Sequence, residues 1–156
     1  MAPQIGSTAP NFSLPDQDGQ KHKLTDYKGR WVLLYFYPKD DTPGCTTEAC
    51  AMRDNLPKFG KLQAKVFGIS VDSVASHKKF AEKHRLNFTL LADEDKAVVT
   101  KYGVWQEKSM YGRKYLGTVR NSFLISPQGK IAKIYRKVKP EQHAAEVLAD
   151  INELSI

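Results

Sequence analysis

The sequence predicts an α/β domain in which a mixed central β-sheet is flanked by helices. Apolar runs of strand length alternate along the chain with segments of helical periodicity, and right-handed crossovers between such strands build a parallel sheet core. The run at residues 31–37, WVLLYFY, is apolar almost throughout, as expected of a strand that is covered on both faces. These two observations place helices on both sides of the sheet.

Three more apolar runs predict strands, at residues 65–71, 122–126 and 131–136. The last two are joined by the sequence PQG at residues 127–129, whose turn composition indicates a hairpin and adds antiparallel strands to the sheet. Residues 88–92 are also apolar and fit either an edge strand or a loop. Residues 11–14 and 22–25 predict an additional hairpin at the N-terminus.

The first predicted helix covers residues 45–56 and follows a turn that contains Pro43 and Gly44. Pro57 lacks the N–H group that an interior helical position needs, so we expect it to end this helix or to kink it. Cys45 is therefore expected at the N-terminal end of a helix that follows the long strand. The carboxyl edge of a parallel sheet, where that strand ends, is the usual place of functional sites in α/β proteins.

Three other segments predict helices. Residues 73–85 begin with Ser73, a favourable N-cap residue, and residues 95–102 precede Gly103, which is well placed to end a helix. The last helix has apolar residues at the spacing of one buried face, namely Ala144, Val147, Leu148, Ile151 and Leu154. This order of elements predicts a thioredoxin-like fold with an N-terminal hairpin extension, in a single domain of residues 1–156.

The composition is that of an ordinary globular domain, with 156 residues of which 41% are hydrophobic and 26% are charged. The net charge of +7 allows weak, salt-sensitive contact with polyanions. The chain has no zinc-finger spacing, aromatic ribonucleoprotein motif or basic heptads, so no specific nucleic-acid partner is expected. No apolar run approaches the ~20 residues of a membrane span, and the N-terminus lacks the pattern of a signal peptide. We therefore expect a cytoplasmic protein that does not act on membranes.

The candidate reactive residues of the chain are its two cysteines, Cys45 and Cys50. In a reducing compartment cysteines rarely form structural disulfides and are more often catalytic, metal-binding or inert. A helix N-terminus favours a thiolate at Cys45, because its N–H groups lack intrahelical partners and its dipole places about half a positive charge there. The hydroxyl of Thr42 is close enough in sequence to meet Cys45 across the turn. Glu48 shares the helical face of Cys45, so a cation must offset its charge if Cys45 is to react as a thiolate.

The residue types alone leave several alternatives open. A cysteine in a small protein is often a buried apolar side chain without chemistry. A zinc site is weakly supported, because the cysteines are spaced C-x4-C and the histidines at positions 22, 77, 84 and 143 are isolated. A disulfide oxidoreductase of the C-x-x-C type is disfavoured by the same spacing. A basic binding module whose cysteines have no function is the rival from outside the enzymes.

The segment around the cysteines resembles a known active-site motif. The pattern Pro38-x-x-x-Thr42-x-x-Cys45 is similar to the motif of the peroxiredoxins, and the wider stretch FYPKDDTPGCTTEAC resembles their Q-type subfamily, also called bacterioferritin comigratory protein. The likeness extends over nearly the whole chain, through APNFSLPDQDG, FTLLADEDKAVVTKYGVW and RNSFLISPQGKI. It implies a peroxidase that reduces hydrogen peroxide and organic hydroperoxides as part of antioxidant defence.

The resemblance also implies the roles of individual residues. Cys45 would be the peroxidatic cysteine, which attacks the peroxide O–O bond and becomes a sulfenic acid. Cys50 would be the resolving cysteine, which condenses with that sulfenic acid to an intramolecular disulfide. Thr42 would hydrogen-bond the reacting atoms, and Arg120 would hold the thiolate and polarise the peroxide.

The substrate pocket that the resemblance implies includes Pro38, which would shield it from bulk water, and Gly44. No metal, haem or flavin motif is present in the sequence, so no cofactor is expected. The electrons would come from a thioredoxin-like dithiol protein. Because an internal disulfide between Cys45 and Cys50 needs no partner subunit, a monomer suffices.

The spacing of the two cysteines predicts a conformational change. If residues 45–50 are helical, the Cα atoms of Cys45 and Cys50 lie about 8.7 Å apart, whereas a disulfide tolerates a Cα separation of about 4.4–6.8 Å. The two side chains also point to different sides of the helix, roughly 140° apart. We therefore expect disulfide formation to unwind at least the first turn of the helix after Pro43.

Overall fold

The computed structural model describes residues 2–155, with a five-stranded sheet at its centre. Residues 1 and 156, the predicted ends of the domain, lie outside the described residues. The strands are β1 Ser13–Pro15, β2 Lys21–Lys23, β3 Trp31–Phe36, β4 Ala64–Ser70, β5 Thr89–Ala92, β6 Trp105–Met110, β7 Arg113–Thr118, β8 Ser122–Ile125 and β9 Ile131–Tyr135. The helices are α1 Pro43–Lys61, α2 Val74–His84, α3 Ala97–Lys101 and α4 His143–Leu154, together with a 3-10 helix at Leu24–Tyr27.

The central sheet is mixed, as the sequence predicts. Its strands run in the order β5-β4-β3-β8-β9, in which β3, β4 and β5 are parallel to one another while β8 is antiparallel to both β3 and β9. Of the two alternatives for residues 88–92, the edge strand is correct, because β5 closes one side of the sheet. The predicted N-terminal hairpin is also present, with Leu14 of β1 opposite His22 of β2.

Strand β3 is covered on both faces, which explains why its sequence is apolar at almost every position. Successive side chains of a strand point to opposite faces. Leu33 and Tyr35 enter the cluster that contains residues of α1, α2 and α4, whereas Val32, Leu34 and Phe36 enter the cluster beside the N-terminal hairpin and α3. Burial of each large apolar side chain contributes about 1.5–3 kcal/mol. The end of β3, from which the cysteine segment starts, is therefore firmly held.

Helix α1 does not end at Pro57, so that part of the prediction is wrong. The helix continues to Lys61, and Pro57 lies exposed inside it. Proline removes the hydrogen bond that a helical N–H would donate to the carbonyl four residues earlier, which is that of Arg53. In its place the side-chain amide of Asn87 donates to the Arg53 oxygen at 3.3 Å. This contact from outside the helix satisfies the orphaned carbonyl.

Two further elements differ from the sequence prediction. Helix α3 is shorter than the predicted residues 95–102, because the backbone of Lys96 is left-handed and the Asp93 carboxylate accepts the N–H of Val99 at 2.8 Å. The hairpin of β6 and β7 was not predicted at all. Most of its side chains are exposed, so its sequence carries no apolar alternation, and its turn has positive φ at both Tyr111 and Gly112.

Parallel pairing brings the cysteine segment and Arg120 to one edge of the sheet. The carboxyl ends of β3, β4 and β5 share this edge. Strand β8 runs in the opposite direction, with Ser122 opposite Tyr35, so its amino end reaches the same edge. Arg120, two residues before β8, therefore comes close to the start of α1.

Among residues 2–155, no helix combines the length and the apolar composition that crossing a bilayer requires.

Candidate active site

Cys45 occupies the third position of α1 and is 1% exposed. The first intrahelical hydrogen bond here is donated by the N–H of Thr46 to the carbonyl of Thr42 at 2.8 Å, so the N–H groups before it add positive potential near the sulfur. The guanidinium of Arg120 donates from Nη2 to Cys45 Sγ at 3.4 Å. The buried sulfur of Cys45 thus lies beside a helix N-terminus and accepts a hydrogen bond from a guanidinium.

Arg120 binds a second acidic group with its other terminal nitrogen. Nη1 donates to Glu48 Oε1 at 2.8 Å, and the side chain of Glu48 is 0% exposed while that of Arg120 is 19% exposed. Burial alone would lower the pKa of Arg120, but the negative charges of Cys45 and Glu48 and the hydrogen bonds to them raise it above its ordinary value. The guanidinium thus stays charged and is shared between the sulfur and the carboxylate. It is the cation that the charge of Glu48 requires.

Burial raises the pKa of Glu48 from 4.5 to about 7, although the charge of Arg120 and its hydrogen bond oppose the shift. Within the described residues, the second carboxylate oxygen, Oε2, is buried without a hydrogen-bond partner. A carboxylate that lacks half of its hydrogen bonds is poorly stabilised in a low-dielectric site. Glu48 therefore gains or loses its charge near neutral pH, and with it the local field at Cys45 changes.

Gly44 leaves the space that the guanidinium occupies. A Cβ atom added to Gly44 would lie 3.0 Å from Arg120 Nη2, closer than ordinary van der Waals contact. The backbone φ of Gly44 is not in the left-handed region. Glycine is therefore needed here for the space that its missing side chain leaves, and not for its conformational freedom. The structure thus places Gly44 against Arg120.

Thr42 lies at the N-cap of α1, but its hydroxyl does not meet Cys45 as the sequence suggested. Thr42 Oγ1 donates its proton to the carbonyl of Lys39 at 2.8 Å, and no hydrogen bond between Thr42 and Cys45 occurs among the described residues. The hydroxyl oxygen therefore has only lone pairs to offer a third group. Pro38 lies half-buried in the same loop, directly after Tyr37.

Cys50 lies in the same helix, half-buried, and both cysteines are free thiols. Because residues 45–50 are helical, the separation of about 8.7 Å between their Cα atoms applies. The structure therefore brings together Cys45, Arg120, Gly44 and the neighbouring Glu48, and it keeps Cys50 apart from them.

A polar cluster beside the site contains His77, which is isolated along the sequence from any other candidate ligand. Ligand-type atoms of Asp40, Asp72 and His77 lie within 4.8 Å of one another. Hydrogen-bond donors already face them, because Asp40 Oδ2 accepts from Ser76 Oγ and from the His77 ring, and Asp72 Oδ2 accepts from Ser70 Oγ and from the Asp40 N–H. Donors directed at the carboxylates disfavour a cation in the cluster. No sequence signal links these positions, since Asp40 and His77 are 37 residues apart.

Comparison with known proteins decides the family. The family model described as AhpC/TSA family matches residues 5–134. A Bacillus subtilis protein named Peroxiredoxin Bcp is 45% identical over 155 residues, which are 99% of each chain. The chain is a peroxiredoxin of the AhpC/TSA family.

Other relatives agree with the predicted subfamily of this peroxiredoxin. Peroxiredoxin Bcp of Escherichia coli is 50% identical over 150 residues, 96% of each chain. A cysteine mutant of Xylella fastidiosa PrxQ has a TM-score of 0.95 at 37% identity, over 100% of this chain and 99% of the other. The resemblance to Q-type peroxiredoxins is thereby confirmed, and so is the thioredoxin-like fold.

A solved structure from work on alkyl peroxide reduction is also similar to this peroxiredoxin. It is that of Xanthomonas campestris bacterioferritin comigratory protein, with a TM-score of 0.88 at 41% identity, over 93% of this chain and 92% of the other. The chain is thus a thiol peroxidase by family, and it carries two free cysteines, Cys45 and Cys50.

Proposed function

We propose that this peroxiredoxin reduces hydrogen peroxide and organic hydroperoxides with Cys45 as the nucleophile and Cys50 as the resolving cysteine. The observation that supports the assignment most directly is the contact of 3.4 Å between Cys45 Sγ and Arg120 Nη2. Only the thiolate reacts with peroxide, and Cys45 has both a guanidinium and a helix N-terminus to stabilise it. Cys50 lies within the helix, away from both.

In the first step the thiolate of Cys45 attacks the terminal peroxide oxygen. The S–O bond forms as the O–O bond breaks, so the sulfur is oxidised to a sulfenic acid and the other oxygen leaves as an alkoxide or hydroxide that takes up a proton. Arg120 would stabilise the negative charge as it moves from sulfur to oxygen. Thr42, whose own proton is directed to Lys39, would accept the peroxide O–H and so orient the substrate. Pro38 would limit the access of water.

In the second step the Cys50 thiol attacks the sulfenic sulfur, a disulfide forms, and water leaves. The helical geometry of residues 45–50 requires that the start of α1 unwinds first, because the two sulfurs cannot bond across about 8.7 Å between Cα atoms. A thioredoxin-like dithiol would then reduce the disulfide and return both thiols. The internal disulfide requires no second subunit, so we propose a cytoplasmic, single-domain monomer.

Mass spectrometry after one equivalent of cumene hydroperoxide tests the two roles. Wild type should lose the mass of two hydrogen atoms as the peroxide oxidises the two thiols to the disulfide. Cys50→Ala should gain one oxygen at Cys45 and then stall, or proceed to the sulfinic acid with more peroxide. Cys45→Ser should leave Cys50 unchanged and consume no peroxide with dithiothreitol. Substantial peroxide turnover by Cys45→Ser would show that the nucleophile is assigned wrongly.

A further inference from the structure

The loop of residues 37–42, between β3 and α1, is fastened to α2 by buried hydrogen bonds. The carboxylate of Asp40 accepts from the Tyr37 hydroxyl at 2.5 Å, from Ser76 Oγ at 2.8 Å and from His77 Nδ1 at 2.7 Å. The Asp40 N–H donates to Asp72 Oδ2 at 2.9 Å. The side chains of Asp40 and His77 are 4% and 0% exposed. A single loop residue thus joins the loop to α2 and to the segment after β4.

His77 connects this loop residue to the sheet. Its Nε2 lies 2.9 Å from the backbone oxygen of Leu91 in β5, and its Nδ1 faces the carboxylate of Asp40. A carbonyl oxygen can only accept, so Nε2 must carry a proton, and a second proton must lie between Nδ1 and the carboxylate. Both ring nitrogens are therefore hydrogen-bonded, and they hold the ring between Asp40 and Leu91.

A second set of hydrogen bonds links the loop to α2 at the protein surface. The carboxylate of Asp41 accepts from Lys83 Nζ at 2.7 Å and lies 3.0 Å from His84 Nε2, both at the end of α2. The backbone of Asp41 has a φ of +59°, a conformation that non-glycine residues adopt only where their surroundings hold them. The chain thus turns into Thr42 and α1 from a loop that α2 constrains at two successive residues.

We propose that His77 is a positioning residue for the reaction with peroxide. It acts through Asp40, which lies two residues from Pro38 and two from Thr42, and so it fixes the loop from which both would contact the substrate. A displacement of about 1 Å in a reacting group costs roughly 10²-fold in rate. The role rests on the proposed function, because it has meaning only if peroxide reacts at Cys45.

Two substitutions at His77 separate this role from a merely structural one. In His77→Asn the side-chain amide nitrogen takes the place of Nδ1 and keeps the bond to Asp40, while the bond to Leu91 is lost. In His77→Gln the amide nitrogen takes the place of Nε2 and keeps the bond to Leu91, while Asp40 loses the donor that His77 supplies and keeps those from Tyr37 and Ser76. Both variants remove the imidazole ring from the same buried position. Asn leaves the larger cavity of the two, so a purely structural effect would make His77→Asn the slower variant, opposite to the order expected here.

Stopped-flow measurement of Cys45 oxidation by cumene hydroperoxide gives the readout. His77→Gln should react about 10²-fold more slowly than wild type, and His77→Asn should recover most of that loss. Alkylation of Cys45 by iodoacetamide, which does not need the peroxide pocket, should be unchanged in both. Equal peroxide rates in the two variants, whether reduced or normal, would overturn the proposal. A wild type that does not react with peroxide would instead refute the proposed function itself.

A milder variant keeps the test decisive if neither His77 variant folds. Ser76→Ala removes one donor from the same carboxylate and leaves the ring in place. Lys79→Ala, at an exposed position of the same helix, is its control. Ser76→Ala should lower the peroxide rate severalfold without changing alkylation, whereas Lys79→Ala should match wild type. A Ser76→Ala rate equal to that of the control would contradict the role of the loop tie.

Discussion

Two neighbouring segments, residues 37–42 and residues 43–50, are held in the protein in different ways. The first is held by Asp40, whose contacts to α2 and Asp72 involve no group of the cysteine chemistry. The second segment is held by the hydrogen bonds that Cys45 and Glu48 accept from the guanidinium of Arg120. If Cys45 is oxidised as proposed, we therefore expect the contacts of the second segment to change and those of the first to remain.

Because of this difference, we expect the two segments to respond differently to oxidation of Cys45. A protonated sulfenic acid has no charge, so the ionic part of the contact between Cys45 and Arg120 is lost when the thiolate reacts. The hydrogen bonds of Asp40 are untouched by that reaction. In the proposed reaction, the loop would therefore keep the substrate pocket in place while the start of α1 unwinds to bring Cys45 to Cys50.

The largest expected effect comes from removing the cation that holds the moving segment. Arg120→Ala should slow the reaction of Cys45 with peroxide by about 10²–10³-fold, because the charge that moves to oxygen loses its donor. The measurement is single-turnover oxidation by hydrogen peroxide at neutral pH. Iodoacetamide alkylation should fall much less at high pH, where the thiolate forms without help. Arg136→Ala, at an exposed position, is the control, and an Arg120→Ala rate equal to it would remove Arg120 from the site.

A second prediction changes the charge of the moving segment and leaves the loop alone. The pKa of Glu48 is raised from 4.5 to about 7 in the folded protein, so its protonated form stabilises the fold below pH ~4.5 and this stability is lost as the pH rises through ~7. Glu48→Gln is neutral throughout and keeps an acceptor for Arg120. The free energy of unfolding of wild type relative to this variant should therefore fall by about 2–3 kcal/mol between pH 5 and pH 8.

Urea unfolding at the two pH values measures this difference. Other titrating groups are common to both proteins, so their contributions cancel in the comparison. Parallel pH profiles for wild type and Glu48→Gln would contradict the raised pKa of Glu48.

The smallest expected effect on the peroxide reaction comes from filling the space between Gly44 and Arg120. Gly44→Ala would place a Cβ atom 3.0 Å from Nη2, and a shift of the guanidinium by a few tenths of an ångström should slow the peroxide reaction about tenfold. Gly60→Ala in the same helix meets nothing within 4 Å, so it should keep the wild-type rate and stabilise α1 by about 0.5–1 kcal/mol. The two variants are compared in the stopped-flow assay, and a Gly44→Ala rate equal to that of Gly60→Ala would show that the close approach has no kinetic importance.

The sequence predicted those parts of the molecule that local pattern determines. The run at residues 31–37 is apolar because β3 is buried on both faces. The helix was predicted from residue 45, after a turn at Pro43 and Gly44, but α1 already begins at Pro43, because proline is tolerated in the first turn of a helix. The role of Arg120 was predicted only from the resemblance to the peroxiredoxins. Nothing local distinguishes it among 24 lysines and arginines, since its contact with Cys45 is made across 75 residues.

The remaining features depend on contacts that no local pattern records. The hydrogen bond between Asp40 and His77 forms because the crossover from β4 places α2 over the end of β3. Helix α1 passes Pro57 because a distant side chain, that of Asn87, satisfies the carbonyl of Arg53. The hairpin of β6 and β7 was missed because exposed strands need no apolar alternation. In each case tertiary structure supplies what the local sequence lacks.

Hydrogen exchange in the reduced and disulfide forms tests most directly whether one segment moves while the other stays. Two amides report on the two segments, the Thr46 N–H, which donates to Thr42 at 2.8 Å, and the Asp40 N–H, which donates to Asp72 at 2.9 Å. Oxidation to the disulfide, confirmed by mass, should abolish protection at Thr46 and through residue 50, and leave Asp40 and α2 protected. Equal protection of Thr46 in both redox states, or equal loss at Thr46 and Asp40, would contradict this division.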